Sequence, residues 1–254
     1  MANNPENSFV LRTKDVFLSF GAVTAADNLN IEVSAGELVG IVGANGSGKT
    51  TFLNLITGYL KPEHGSILVM GQETTGMPPR LVTKLGVARS FQVPQLYTNL
   101  SVHESMLLSL AAESGKGGGF WKPLHRDPWE QQGMETLERF GLETYADRPV
   151  SELPGGGRKL LDIALSFALK PKLLLMDEPT SGVSIEDKFQ VMDTLINVLK
   201  ESDITTIFVE HDMEVVQRYG RRVLAFDNGS VIADGEPEHV LADPEVRTAV
   251  LGRV

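Results

Sequence analysis

Eight consecutive residues, Gly43, Ala44, Asn45, Gly46, Ser47, Gly48, Lys49 and Thr50, follow the pattern GxxxxGK(S/T). Glycines at these places let a backbone wrap closely around an anion, and a helix N-terminus aims its amides at it. The flanks supply the context this chemistry needs. The apolar run LVGIV reads as a strand before the loop, and TTFLNLITGYL, opening with Thr50 and Thr51, reads as a helix after it. On this spacing Lys49 bridges the β- and γ-phosphates of a nucleotide, and the Thr50 hydroxyl binds Mg²⁺. The competing reading, a glycine turn joining strand to helix, leaves the lysine and the hydroxyl unaccounted for.

Two acids complement the loop. Lys172-Leu-Leu-Leu-Met-Asp177-Glu178 is an apolar strand ending in adjacent carboxylates, one able to hold a Mg²⁺ shell and the next able to meet an attacking water. Taken alone, acids at a strand end are more often loop solvation; the phosphate loop upstream favours the catalytic reading. Thr206-Ile-Phe-Val-Glu-His211 is a second strand with a polar end. A lone histidine is usually structural or solvated. Gln92, in Phe91-Gln92, reads by itself as a surface residue.

The elements that must position these groups form an α/β pattern. Strands are expected at Phe9–Leu11, Asn30–Val33, Leu38–Val42, Ser66–Met70, Leu173–Met176 and Thr206–Val209. Arg222–Phe226 and Ser230–Asp234 flank Asn228-Gly229, a hairpin signal because both residues tolerate positive φ. Apolar spacing predicts helices over Ile185–Leu199, Val102–Ala112, Pro128–Phe140 and Lys159–Leu169, and a glycine-rich mobile loop at Gly115–Gly119. The expected organisation is one domain: an α/β core (1–92 and 169–254) with an inserted helical subdomain (93–168).

Composition narrows the class. The 254 residues are 42% hydrophobic and include no cysteine, which excludes a disulfide framework or thiolate metal site. The opening MANNPENSFVLRTK has no apolar run and does not read as a secretory signal, and no stretch of about 18 apolar residues offers a bilayer span. The net charge of −10 argues against nucleic acid as the main ligand.

Together these residues resemble the ABC transporter ATPases, a P-loop NTPase fold with an inserted helical subdomain and an antiparallel β element. The resemblance covers nearly the whole chain. It identifies Gly43–Thr50 with Walker A, Leu173–Asp177 with Walker B, and Glu178 with the catalytic base. It further implies that Gln92 is the Q-loop glutamine, touching Mg²⁺ and water, and that His211 senses the γ-phosphate. Phe20 falls where the family stacks an aromatic ring on adenine; the alternative is a core aromatic, since the sequence alternates there. Leu153, Pro154, Gly155, Gly156 and Gly157 occupy the position of the LSGGQ signature loop, which closes over the ATP of a neighbouring subunit. Pro154 stands for the usual serine and Gly157 for the usual glutamine, and Ser184 stands where the D-loop more often has aspartate.

Within the family, GVARSFQVPQLYTNLSVHESM and GEPEHVLADPEVRTAVLG are similar to the ATPases of branched-chain and hydrophobic amino acid importers; urea and aromatic-acid importers share the pattern. The resemblance implies ATP and Mg²⁺ as cofactors and a place on the cytoplasmic face of the inner membrane. The implied partners are a second ATPase subunit, two transmembrane permease subunits and, indirectly, an extracytoplasmic solute-binding protein. The altered signature loop suggests that the second ATPase is a different chain. A soluble ABC ATPase of DNA repair or translation is the alternative, disfavoured by the single cassette, the lack of heptads and the acidic charge. A regulator without hydrolysis would have lost Glu178 or His211.

Overall fold

The computed structural model describes residues 9–114 and 127–251, so the loop expected at Gly115–Gly119 lies outside the described residues. The chain divides into two compact units: residues up to Val87 with those from Asp203 onward, and Ala88–Ser202.

In the first unit, β1 (Phe9–Phe20) pairs antiparallel with β2 (Val23–Leu29), β3 (Glu32–Ser34) and β5 (His64–Val69). β6 (Gln72–Glu73) extends this sheet beyond β5. β1 runs well past the expected end at Leu11. Its buried residues are Leu11 and Thr13, then Val16 and Leu18, so the alternation changes phase across exposed Lys14 and Asp15. Asp15 takes a φ of 49° and the pairing to β5 shifts register there, the behaviour of a bulge. A bulge breaks the two-residue period by which a strand is recognised.

The same unit holds β4 (Leu38–Gly43), parallel to both β9 (Thr205–Val209) and β10 (Arg222–Asp227). β11 (Ser230–Gly235) closes the expected hairpin with β10 around Asn228 and Gly229, at φ 46° and 82°. Among the described residues, five helices belong here: α1 (Lys49–Ile56), α2 (Pro79–Lys84), α7 (Met213–Tyr219), α8 (Pro237–Ala242) and α9 (Pro244–Leu251). The helix expected to run on to Leu60 stops at Ile56. Gly58 has left-handed φ (77°), and a Cβ there would collide with the Met77 carbonyl.

The second unit packs α3 (Val102–Glu113), α4 (Asp127–Arg139), α5 (Gly155–Ala168) and α6 (Lys188–Lys200) with the neighbouring strands β7 (Val87–Ser90, entering at Ala88) and β8 (Leu173–Asp177). The segment 93–168 thus contributes α3 to α5, and β8 and α6 join them in this unit. α3 starts with a capping box: the Glu104 N–H donates to Ser101 Oγ, and the Ser101 N–H to Glu104. α5 begins at Gly155, earlier than the expected Lys159, because extended Pro154 serves as its N-cap and three glycines form its first turn. Glycine is a poor helix former, which hid that turn from periodicity.

Candidate active site

In the first unit, parallel pairing sets the C-terminal ends of three strands side by side, with Phe226 beside Gly43 and Val209 beside Ile41. Ligands of open α/β sheets gather at such an edge. The phosphate loop leaves β4 here and is wedged in place. The Gly229 N–H donates to the Ser47 carbonyl (2.9 Å), and the Asp27 N–H to the Gly229 carbonyl (2.8 Å). At Gly48 (φ 106°) a Cβ would lie 2.6 Å from the Ala25 carbonyl oxygen, so only glycine fits. Gly46 (φ 81°) faces open space instead, with nothing within 4 Å, and Asn45 beside it is exposed. The loop is therefore rigid beneath and open above.

Lys49 is buried, and its Nζ donates to the carbonyls of Gly43 (2.7 Å) and Ala44 (2.8 Å). The ammonium is held against the backbone of the loop. Thr50 is exposed at the start of α1, with Thr51 half-buried behind it. His211 follows β9 on the same strand edge, and the Glu210 N–H before it donates to the Ile41 carbonyl. Phe20 ends β1 with 52% of its surface exposed, which rules out the core-aromatic reading.

In the second unit, every residue of β8 is buried, up to and including Asp177. Glu178 turns out of the strand with φ 50°, a left-handed conformation a glutamate rarely adopts. Such strain persists where the surroundings enforce it, and it clusters at reacting centres. Gln92 Nε2 donates to Glu178 Oε2 at 2.7 Å, so the two polar groups are brought together. Asp177 Oδ2 accepts from Arg89 Nη2 at 2.7 Å, an ion pair in which both side chains are about 95% buried.

Arg89, Lys159 and Asp162 have no role in the sequence motifs. Lys159 is 1% exposed, and its Nζ donates to the carbonyls of Phe91 (3.0 Å) and Gln92 (2.8 Å). Asp162, one turn later on α5, accepts the Phe91 N–H at 3.1 Å. Burial pushes its carboxyl up to about 6, against the pull of the Phe91 amide and the Lys159 charge. A signal for all three exists: each is a charge inside an apolar pattern, Arg89 in GVARSF and the other two three apart in KLLDIALSF.

In the signature loop, Leu153 is buried, while Pro154 and Gly155 are exposed. Pro154 gives α5 no side-chain cap, and the amides of the first turn have no partner within the helix. At Gly155 a Cβ would sit 2.8 Å from the Gly182 carbonyl oxygen; at Gly157 it would meet only ordinary contacts of 3.4 Å or more. The loop thus depends on glycine at 155, whereas position 157 has room for a side chain.

The phosphate loop and His211 belong to the first unit; Gln92, Asp177, Glu178 and the signature loop belong to the second. Residues 26–181 match the family model described as ABC transporter. The chain belongs to the ABC transporter ATPase family. This ABC ATPase is 30% identical to the high-affinity branched-chain amino acid transport ATP-binding protein LivG of Escherichia coli K12, over 96% of its own length and 98% of LivG. It is 29% identical to the corresponding protein BraF of Pseudomonas aeruginosa, over 96% and 98%. Among solved structures it resembles an ATP-binding cassette of an ABC transporter, with a TM-score of 0.85, 30% identity, and 96% and 99% of the two chains covered. The ADP conformation of that cassette gives a TM-score of 0.83 at 30% identity, over 96% and 99%. ATP binding and hydrolysis are the activity of this ABC ATPase. No helix among its described residues is long and apolar enough to cross a membrane.

Proposed function

We propose that this chain is one of two ATPase subunits of an importer for branched-chain or other hydrophobic amino acids, working on the cytoplasmic face of the inner membrane. Likeness to LivG and BraF along nearly the whole length supports the solute class. The observation that carries the hydrolytic reading is the 2.7 Å bond from Gln92 to Glu178, a carboxylate strained into place at the end of a buried strand. Glu178 is the general base for the attacking water, and Gln92 orients it. Lys49 and the loop amides bind the β- and γ-phosphates, Phe20 stacks on adenine, and His211 senses the γ-phosphate.

The Thr50 hydroxyl in the first unit, and the Asp177 carboxylate and Gln92 carboxamide in the second, are each the kind of hard oxygen donor that would suit Mg²⁺. When bound, Mg²⁺ neutralises charge on the phosphates. Permease subunits dock beside Gln92, where Val93 and Tyr97 stand about 70% exposed next to a hollow of about 360 Å³ lined by Pro94, Leu96, Arg158 and Gly182. ATP closes the pair of ATPase subunits, and its greater affinity for the closed state shifts the permease.

Lys49→Ala removes the cation facing the phosphates. ATP binding is expected to weaken by about tenfold or more, with folding unchanged. Calorimetry with Mg²⁺ makes the check, and equal affinities would contradict the assignment.

The second ATPase is a different chain. Proline at 154 supplies neither hydroxyl nor N–H, and Gly157 lacks the amide side chain, so this signature loop offers the opposing ATP only backbone amides. Losing one charge-assisted side-chain donor costs about ten- to a hundredfold in rate. This chain's own site is therefore the fast one. In the assembled transporter, Glu178→Gln should abolish most turnover, whereas the matching substitution in the partner should remove little. Equal losses, or brisk hydrolysis by a homodimer of this chain, would refute the asymmetry.

A further inference from the structure

We infer that Lys159 is a positioning residue for hydrolysis: its ammonium, locked onto the carbonyls of Phe91 and Gln92, holds the Gln92 side chain against Glu178. The inference rests on the roles proposed above for Gln92 and Glu178.

A lysine that only packs lays its stem on apolar surface and sends its charge to water. Lys159 does the reverse. With the residue 1% exposed, its ammonium donates to backbone carbonyls at 3.0 and 2.8 Å, and the Asp177 carbonyl lies 3.5 Å away. Those carbonyls come from two places in the chain, the segment bearing Gln92 and the residue before Glu178. An ammonium in low dielectric binds such oxygens more strongly than it would in water.

Asp162 completes the grip from the next turn of α5. Its carboxylate takes the Phe91 N–H at 3.1 Å while Lys159 takes the Phe91 C=O, so Phe91 is held by both of its backbone polar groups. Gln92 therefore leaves a backbone with little freedom to rotate. Its carboxamide reaches Glu178 through side-chain torsions alone, at 2.7 Å. Remove the ammonium and the Gln92 carbonyl loses its donor, the backbone turns, and Nε2 moves off Glu178. The geometry of the base fails before the binding of ATP does.

Two measurements test this. In the ¹⁵N-labelled full-length chain, the Gln92 side-chain amide, assigned by its disappearance in Gln92→Ala, should lose its resolved shift in Lys159→Met. In the assembled complex, Lys159→Met should lower kcat about tenfold with KM for ATP changed by less than about twofold. The double variant Lys159→Met/Gln92→Ala should lose no more than Gln92→Ala alone, since one residue acts through the other. An unmoved Gln92 resonance, or losses that multiply in the double variant, would overturn the inference. If Lys159→Met lacks a cooperative thermal transition, Lys159→Gln, which keeps N–H donors, carries the same two comparisons with a smaller loss. Should Gln92→Ala leave kcat untouched, the role given to Gln92 falls, and the resonance still decides whether Lys159 positions it.

Discussion

Glu178→Gln is expected to lower ATP hydrolysis in this chain's own site by about 10²-fold or more while leaving ATP affinity near that of the unaltered chain, because a positioned general base contributes about that much. The geometry makes the substitution informative. Glu178 sits in a left-handed turn immediately after buried Asp177. A glutamine there has the same length and can still accept from Gln92 through its carbonyl oxygen, so the local contacts persist. The carboxylate charge and, with it, the ability to take a proton from water disappear. Phosphate release by the assembled complex measures the rate, and calorimetry measures binding. A nucleotide-bound closed pair should accumulate. Near-normal turnover would remove Glu178 from the mechanism.

Arg89→Met is expected to destabilise the fold by about 3–5 kcal/mol, the cost of leaving one member of a buried ion pair without its partner. Arg89 Nη2 lies 2.7 Å from Asp177 Oδ2 with side chains 6% and 5% exposed, so water cannot replace the lost cation at once. Methionine fills similar space along the stem, which keeps cavity formation a minor term. For a chain of this size the loss corresponds to a Tm lower by roughly 6–20 °C. Scanning calorimetry of the nucleotide-free chain makes the measurement. Asp177→Asn added to Arg89→Met should restore part of the stability, since it removes the uncompensated charge. A Tm within about 2 °C of the parent would mean that the pair contributes no more than a surface bridge.

The hairpin at Asn228-Gly229 and the strands β4, β8, β9, β10 and β11 were legible from short-range pattern, because each rests on local turn chemistry or an unbroken apolar run. β2, the full length of β1 and the first turn of α5 were not. In β1 the bulge at Asp15 shifts the alternation. In α5 the first turn is three glycines, poor helix formers, with the Gly182 carbonyl close to Gly155 and Val191 close to Gly156.

The candidate site divides along the same line. The phosphate loop is eight contiguous residues that form one backbone turn and one helix start, so its conformation was legible in the sequence alone. Asp177 and Glu178 were similarly visible as the polar end of an apolar strand. The tertiary structure decided the rest. Arg89 meets Asp177 across 88 residues, Gln92 meets Glu178 across 86, and Lys159 and Asp162 reach Phe91 and Gln92 across 67 to 71. No local pattern encodes such contacts. For Arg89, Asp177, Lys159 and Asp162 burial removes water as the alternative partner, and each charge must then find one supplied by a distant part of the chain.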